Sequence, residues 1–250
     1  MGNHWYDKEG NPQYYVDKAD GSGRRPTTLR DGRKYNWFPS VTEILNMAAK
    51  PALTNWLVEQ AYLAALTLPQ VEGESLDDFK KRAKQDAKKQ TEDAMNLGTA
   101  IHNDIERVFK GLTPLVHKEA AEVTYAFVIE HTGIKDGWIA EQTFSSALGY
   151  GGMVDLHHPD GWVIDYKTKD FSADDINKRM AWDEHSMQLA AYAHGLEIPN
   201  ARKMNVFVSR NNPGVIAHHE WEEDSFNRFE CLLKYWQLTK NFKPTMQEDA

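Results

Sequence analysis

A chain of 250 residues, 41% of them apolar and 26% charged, has the composition of an ordinary globular protein and the length for one domain with a helical elaboration around a real core. Its net charge of -8 argues against a protein that coats duplex DNA through a globally basic surface. The single cysteine, Cys231, excludes an internal disulfide and any four-cysteine zinc or iron-sulfur site. No stretch approaches the roughly 18 apolar residues that span a bilayer, and Met1 to Asp7 carry no charged-then-apolar signal, so a cytoplasmic protein is expected.

In chain order, residues 4–38 mix aromatic side chains with turn signals at Gly10-Asn11-Pro12, Asp20-Gly21-Ser22-Gly23 and Asp31-Gly32. That pattern predicts short strands or a hairpin, set apart over residues 1–38 as an N-terminal appendage. Ser40 followed by Glu43 reads as a capping box and opens a helical region over 39–135, with breaks near Lys50-Pro51, between Leu68-Pro69 and Gly73, and between Gly111 and Pro114. The character then changes over 136–250. Strands are predicted at 138–144, 150–157 and 162–169, a long helix at 173–196, strands at 204–209 and 215–221, and a last helix at 225–238. This order predicts an α/β fold in which one mixed sheet is flanked by helices.

The most informative passage is Gly151-Gly152-Met153-Val154-Asp155, a short turn, and Asp165-Tyr166-Lys167-Thr168-Lys169. Side chains alternate along a strand, so Asp165 and Lys167 point one way and Tyr166 the other. Pro159-Asp160-Gly161 reads as a three-residue hairpin loop with glycine at its left-handed position, which brings Asp155 opposite Asp165 to within one residue. Opposed side chains lie roughly 5 Å apart. Two carboxylates that close repel, and a shared proton or an oxygen-seeking cation such as magnesium or manganese relieves the repulsion; metal is the relief expected here.

Three further groups accompany the hairpin. His102 and Glu106, four apart in the helical segment that begins Gly98-Thr99, share a face, and His102 is either a plain surface or core histidine or a nitrogen ligand that would tilt preference toward manganese. Glu141 precedes Asp155 by fourteen residues and shares its face if the intervening turn keeps register; a metal-site acid and a solvent-facing acid are both open readings. Gln188 and Tyr192, also four apart, sit among alanines and leucines. They either meet a nucleic acid by hydrogen bonding and stacking or satisfy each other inside the protein. A basic run that includes Lys80, Lys84 and Lys88 either lines a nucleic-acid path or forms a solvated face paired with Asp77, Asp78 and Asp86.

Taken in order, G-T-x-x-H-x-x-x-E at Gly98 to Glu106, the acid Glu141, G-G-x-x-D ending at Asp155, D-x-K from Asp165 to Lys167 and Q-x-x-x-Y at Gln188 to Tyr192 resemble the PD-(D/E)xK nuclease superfamily. Within it the chain is similar to the RecB-like exonuclease branch, of the mitochondrial genome maintenance exonuclease type and its phage relatives. The resemblance implies a restriction-endonuclease-like core with an N-terminal helical elaboration, and hydrolysis of phosphodiester bonds in DNA with magnesium or manganese. It implies that Asp155, Asp165, the main-chain carbonyl of Tyr166 and His102 hold the ion, that Lys167 orients the attacking water and steadies the phosphate, and that Glu141 assists. Gln188 and Tyr192 would touch the nucleic acid or brace the site, and helices ahead of the sheet would make a single strand thread past, with Lys80, Lys84 and Lys88 facing it. Some branches carry a four-cysteine iron-sulfur cluster; this chain lacks those cysteines and any Walker-type G-x-x-x-x-G-K-[ST], so neither a cluster nor ATP-driven unwinding is expected. The expected activity is an exonuclease acting on single-stranded DNA ends. The rival readings are an endonuclease or duplex-degrading exonuclease, a catalytically idle DNA-binding subunit of the same fold, and a metal phosphoesterase for RNA or small molecules.

Overall fold

The computed structural model describes residues 4–69 and 71–246; residues 1–3, 70 and 247–250, which include part of the N-terminal stretch read above for a signal, lie outside the described residues. Short elements come first: β1 (Trp5–Tyr6), β2 (Tyr15–Asp17), β3 (Arg24–Pro26), α1 (Leu29–Tyr35), β4 (Phe38–Pro39) and α2 (Val41–Leu45). Three longer helices follow, α3 (Pro51–Thr67), α4 (Leu76–Phe109) and α5 (Lys118–Thr132). Strands β5 (Ile139–Ser146), β6 (Tyr150–His158) and β7 (Trp162–Lys169) then lead through α6 (Asp183–Gly195) to β8 (Arg202–Ser209), β9 (Ile216–Trp221) and α7 (Phe226–Lys240).

The five long strands form one mixed sheet in the order β5-β6-β7-β8-β9. Every neighbouring pair is antiparallel except β7 and β8, which run parallel because α6 carries the chain back across the sheet between them. Alternation sorts the side chains by face. Trp162, Ile164 and Tyr166 of β7, with Met204, Val206 and Val208 of β8, bury against Ile101 and Ile105 of α4 and Ala120, Ala121 and Val128 of α5. Val163 belongs to the opposite cluster, with Leu189 to Ala193 of α6 and Phe229, Leu233 and Trp236 of α7. The result is a mixed α/β architecture with helices on both sheet faces.

The three breaks in the helical region fall where Pro and Gly predict them, and Ser40 caps α2 by accepting the Glu43 N–H. Three expectations differ. Residues 4–38 are not an appendage: Trp5 is fully buried in the cluster of α2, α6 and α7, and Ser145 Oγ donates to the Asp7 carbonyl. The same region contains a helix, α1, hidden by the Asp31-Gly32 turn signal. Gly32 is needed there because a side chain would come within 2.5 Å of the Trp5 ring. The helix expected at 173–196 is shorter, since residues 173–175 make only a 3-10 turn and regular helix begins at Asp183. In the intervening stretch Lys169 Nζ donates to the Met180 carbonyl, and Trp182 is extended.

Helix α4 is fastened to α5 by Asp104, which is 2% exposed and accepts the N–H groups of Leu115, Val116 and His117 at 2.6, 2.9 and 2.6 Å. Burial would raise this carboxyl, yet the three donors hold it below its ordinary value. A depressed folded pKa contributes stability above the unfolded value of about 4, and that contribution is lost as pH falls further. Asp104→Asn should therefore cost about 2–3 kcal/mol near neutral pH in urea unfolding, with a smaller cost in acid. An unchanged midpoint would show that the loop holds without the charge.

Candidate functional site

The β6–β7 ladder contains Leu156↔Ile164, His157↔Val163 and His158↔Trp162, and Gly161, at φ 100°, closes the hairpin as the turn requires. One rung further in the same register, Asp155 stands across from Asp165, but regular pairing has ended. Beyond this rung β6 stays with β5 and β7 with β8, so the sheet forks. Asp155 Oδ2 accepts the Tyr166 N–H at 2.8 Å, a carboxylate doing what a strand carbonyl does elsewhere.

The β5–β6 ladder skips the same rung. Ala140 pairs with Leu156 and Gln142 with Val154, leaving Glu141 opposite Asp155 outside the pattern with φ 57°. Val154 and Leu156, two apart, lie in clusters on opposite sides of the sheet, so the strand turns over here. A left-handed non-glycine residue inside a strand is strained, and such strain gathers at functional sites.

Around this rung the side chains converge. Lys167 Nζ sits 3.0 and 2.8 Å from the two carboxylate oxygens of Asp165, which is 2% exposed. The same ammonium donates to Gln188 Oε1 at 3.0 Å, and Gln188 Nε2 donates to the Tyr192 hydroxyl at 2.8 Å. On the other side Asn205 Nδ2 donates to Asp165 Oδ2 at 2.7 Å, while Trp221 Nε1 holds the Asn205 amide oxygen at 2.8 Å. From α4, His102 Nδ1 lies 3.7 Å from Asp155 Oδ2, with its ring edge-on to Tyr166. Gly98, one helical turn earlier, makes this approach possible: a side chain there would meet Thr168 Oγ1 at 2.5 Å.

The electrostatics follow from crowding. Burial pushes Asp155 up, and burial with the Asp155 charge pushes Asp165 up to about 6 despite Lys167. Burial, then Asp155 and Glu106, push Glu141 up to about 8. His102 is pushed down to about 4, by burial first and then by Lys167, so its imidazole is neutral at pH 7. Among the described residues no group of three or more His, Cys, Asp or Glu side chains is placed so that it could hold a metal ion. The donor chemistry nonetheless suits a hard divalent ion: crowded carboxylates whose charged forms are only partly compensated, beside a neutral imidazole.

Some expected residues are placed elsewhere. Gln188 and Tyr192 are buried and brace Lys167 rather than presenting a surface. The Tyr166 side chain points, as strand alternation predicts, into the α4 and α5 layer, where its hydroxyl has no hydrogen-bond partner among the described residues. Lys80, Lys84 and Lys88 precede His102 on α4 by 14 to 22 residues, which sets them about 21–33 Å away along the helix axis. Lys80 pairs with Asp77 and Lys88 with Glu92, on an exposed face. The cations near the fork are instead Lys169, lowered to about 8 by burial and then by Lys167, and Lys50, lowered by burial and within electrostatic reach of Glu184 and Lys167. Lys169 extends the alternation of Asp165 and Lys167 by one step, a signal present in the sequence. Asn205, a lone amide in the apolar run Met204 to Val208, was another.

No family model matches this chain, and no curated protein matches it. A solved structure described as "Crystal structure of SSO0001" is similar over 77% of this chain and 88% of its own, with 16% identity and a TM-score of 0.39. A likeness that distant carries no argument about the fold or function of this chain.

Raised carboxyl pKa values mean that the fold prefers the protonated acids. Their stabilising contribution is complete below the unfolded value of about 4 and is lost as pH rises through the folded values. With divalent ions chelated, the melting temperature should fall as pH rises through about 6, where Asp165 ionises, and about 8, where Glu141 does. Asp165→Asn should flatten the first part and Glu141→Gln the second. A parallel profile in both variants would place the titration elsewhere.

Proposed function

We propose that the chain is a divalent-metal-dependent DNA exonuclease of the PD-(D/E)xK superfamily, in its RecB-like branch. It hydrolyses phosphodiester bonds from single-stranded ends in DNA replication, repair or recombination, in the cytoplasm. The observation that carries this reading is the fork in the sheet, which gathers Asp155, Asp165, Lys167, Glu141 and His102 at one rung. The antiparallel β5-β6-β7 run followed by α6 and parallel β8 supports a restriction-endonuclease-like core.

Magnesium or manganese would be held by Asp155, Asp165, the Tyr166 carbonyl and His102. Bound there, the ion supplies a lowered pKa for water and charge neutralisation on the phosphate, so no nucleophilic side chain is needed. Asp165 and Gln188 hold the Lys167 ammonium from two sides, which fixes it where a scissile phosphate and its attacking water can be oriented. Glu141, raised by burial and then by Asp155 and Glu106, is matched to hold a proton near neutral pH. Lys169 and Lys50 offer positive charge to the adjoining phosphates. The one cysteine leaves no iron-sulfur cluster to the scheme, and no ATP enters it.

Lys167→Ala should reduce cleavage of linear single-stranded DNA by about a hundredfold or more, with an unchanged circular dichroism spectrum. Undiminished cleavage would refute the mechanism. Circular single strands should stay intact under conditions that consume linear ones. Cut circles would instead mark an endonuclease, and inactivity on DNA with activity on RNA or nucleotides would mark another phosphoesterase.

A further inference from the structure

The two glycines before Asp155 let aromatic side chains pack against β6 beside the fork. A side chain at Gly151 would meet the Phe144 carbonyl at 2.9 Å and Tyr6 at 3.0 Å, and one at Gly152 would meet the Phe144 ring at 2.9 Å and the Tyr192 ring at 3.1 Å, so their absence lets Tyr6 and Tyr192 lie close to β6. Between them lies a cavity of about 160 Å³ lined by His4, Tyr6, Tyr14, Thr42, Asp155 and Tyr192, with Ser40, Val41, Gly152 and Met153 completing its wall. The N-terminal segment holds its aromatic side in place. Ser40 N–H donates to the His4 carbonyl, Ser40 bridges to Gly151, and the His4 ring stands edge-on to Tyr14 at 5.1 Å.

Size and chemistry limit the occupant. A cavity of roughly 150 Å³ takes one benzene-sized ring, whereas pockets for whole small molecules begin at about 300 Å³. No lysine or arginine lines this cavity, so its wall offers no cation to draw a phosphate inside. Aromatic walls favour a flat neutral ring, and the hydroxyls of Tyr14 and of Thr42, the latter also bonded to Ser40 Oγ, offer hydrogen bonds to such a ring's polar edge.

We infer that this cavity is a subsite for a single nucleobase, fitting a pyrimidine ring most completely, and that it seats the base of the nucleotide whose phosphate lies at Asp155, Asp165 and Lys167. The inference rests on the nuclease reading for the phosphate and on the cavity for the base. Stacking and edge hydrogen bonds hold the base, and the fork receives the backbone. Tyr14, 36% exposed, forms the rim over which the base enters.

The test is isothermal titration of the full chain, in magnesium, with thymidine 5′-monophosphate and with deoxyribose 5-phosphate, which lacks the base. The nucleotide should bind about tenfold or more tightly than the sugar phosphate. Tyr14→Ala and His4→Ala should each shrink that ratio while circular dichroism stays native, and Lys167→Ala should keep it. Equal affinity for the two ligands, no binding of the nucleotide, or a ratio untouched in both ring variants would overturn the inference. Continued cleavage by Lys167→Ala would count against the nuclease mechanism alone, because the base preference is read from binding.

Discussion

Two acids facing each other at the rung where β6 leaves β7 are the constraint around which the molecule is arranged. Asp155 and Asp165 are drawn from water with like charge, and burial of that kind costs several kcal/mol unless donors or cations compensate. The compensation is specific. The Tyr166 N–H, freed by the open ladder, goes to Asp155, while Lys167 and Asn205 go to Asp165. Even so, both carboxyls and Glu141 remain above their ordinary values, so the charge balance is incomplete within the protein itself. Under the proposed function a bound divalent ion would complete that balance.

Much of the remaining structure keeps this rung in position. Gly98 brings α4 against the end of β7, which presents His102, and Asp104 ties the same helix to α5. From the opposite face α6 supplies Gln188, fixed in turn by Tyr192. The N-terminal strands close the third side through Trp5 in the core and Tyr6 beside Gly151. Strain at Glu141 is sustained because β5 and β6 keep one register on both sides of it.

The convergence of Asp155, Asp165 and Lys167 was legible because period-two alternation and a three-residue hairpin loop are local rules, and both hold here. Helix breaks at Pro51, Pro69 and Gly111 were legible for the same reason. What escaped depends on tertiary contact. Helix α1 forms across a turn signal because Trp5 packs on Gly32, and the stretch before α6 stays irregular with Lys169 bonded to its backbone. The basic run from Lys80 drew attention by charge density, but helix length carries it away from the site, while the solitary Lys50 comes near. The simultaneous turnover of β5 and β6 at Glu141 and Asp155 cannot be read from either strand alone.

No helix among the described residues is long and apolar enough to cross a membrane. The direct question about the fork is whether it binds an ion. Electron paramagnetic resonance titration with manganese should show a site in the wild type that weakens sharply in both Asp155→Asn and Asp165→Asn while each variant stays folded. Manganese binding of equal strength in the wild type and in both variants would contradict the account at its centre.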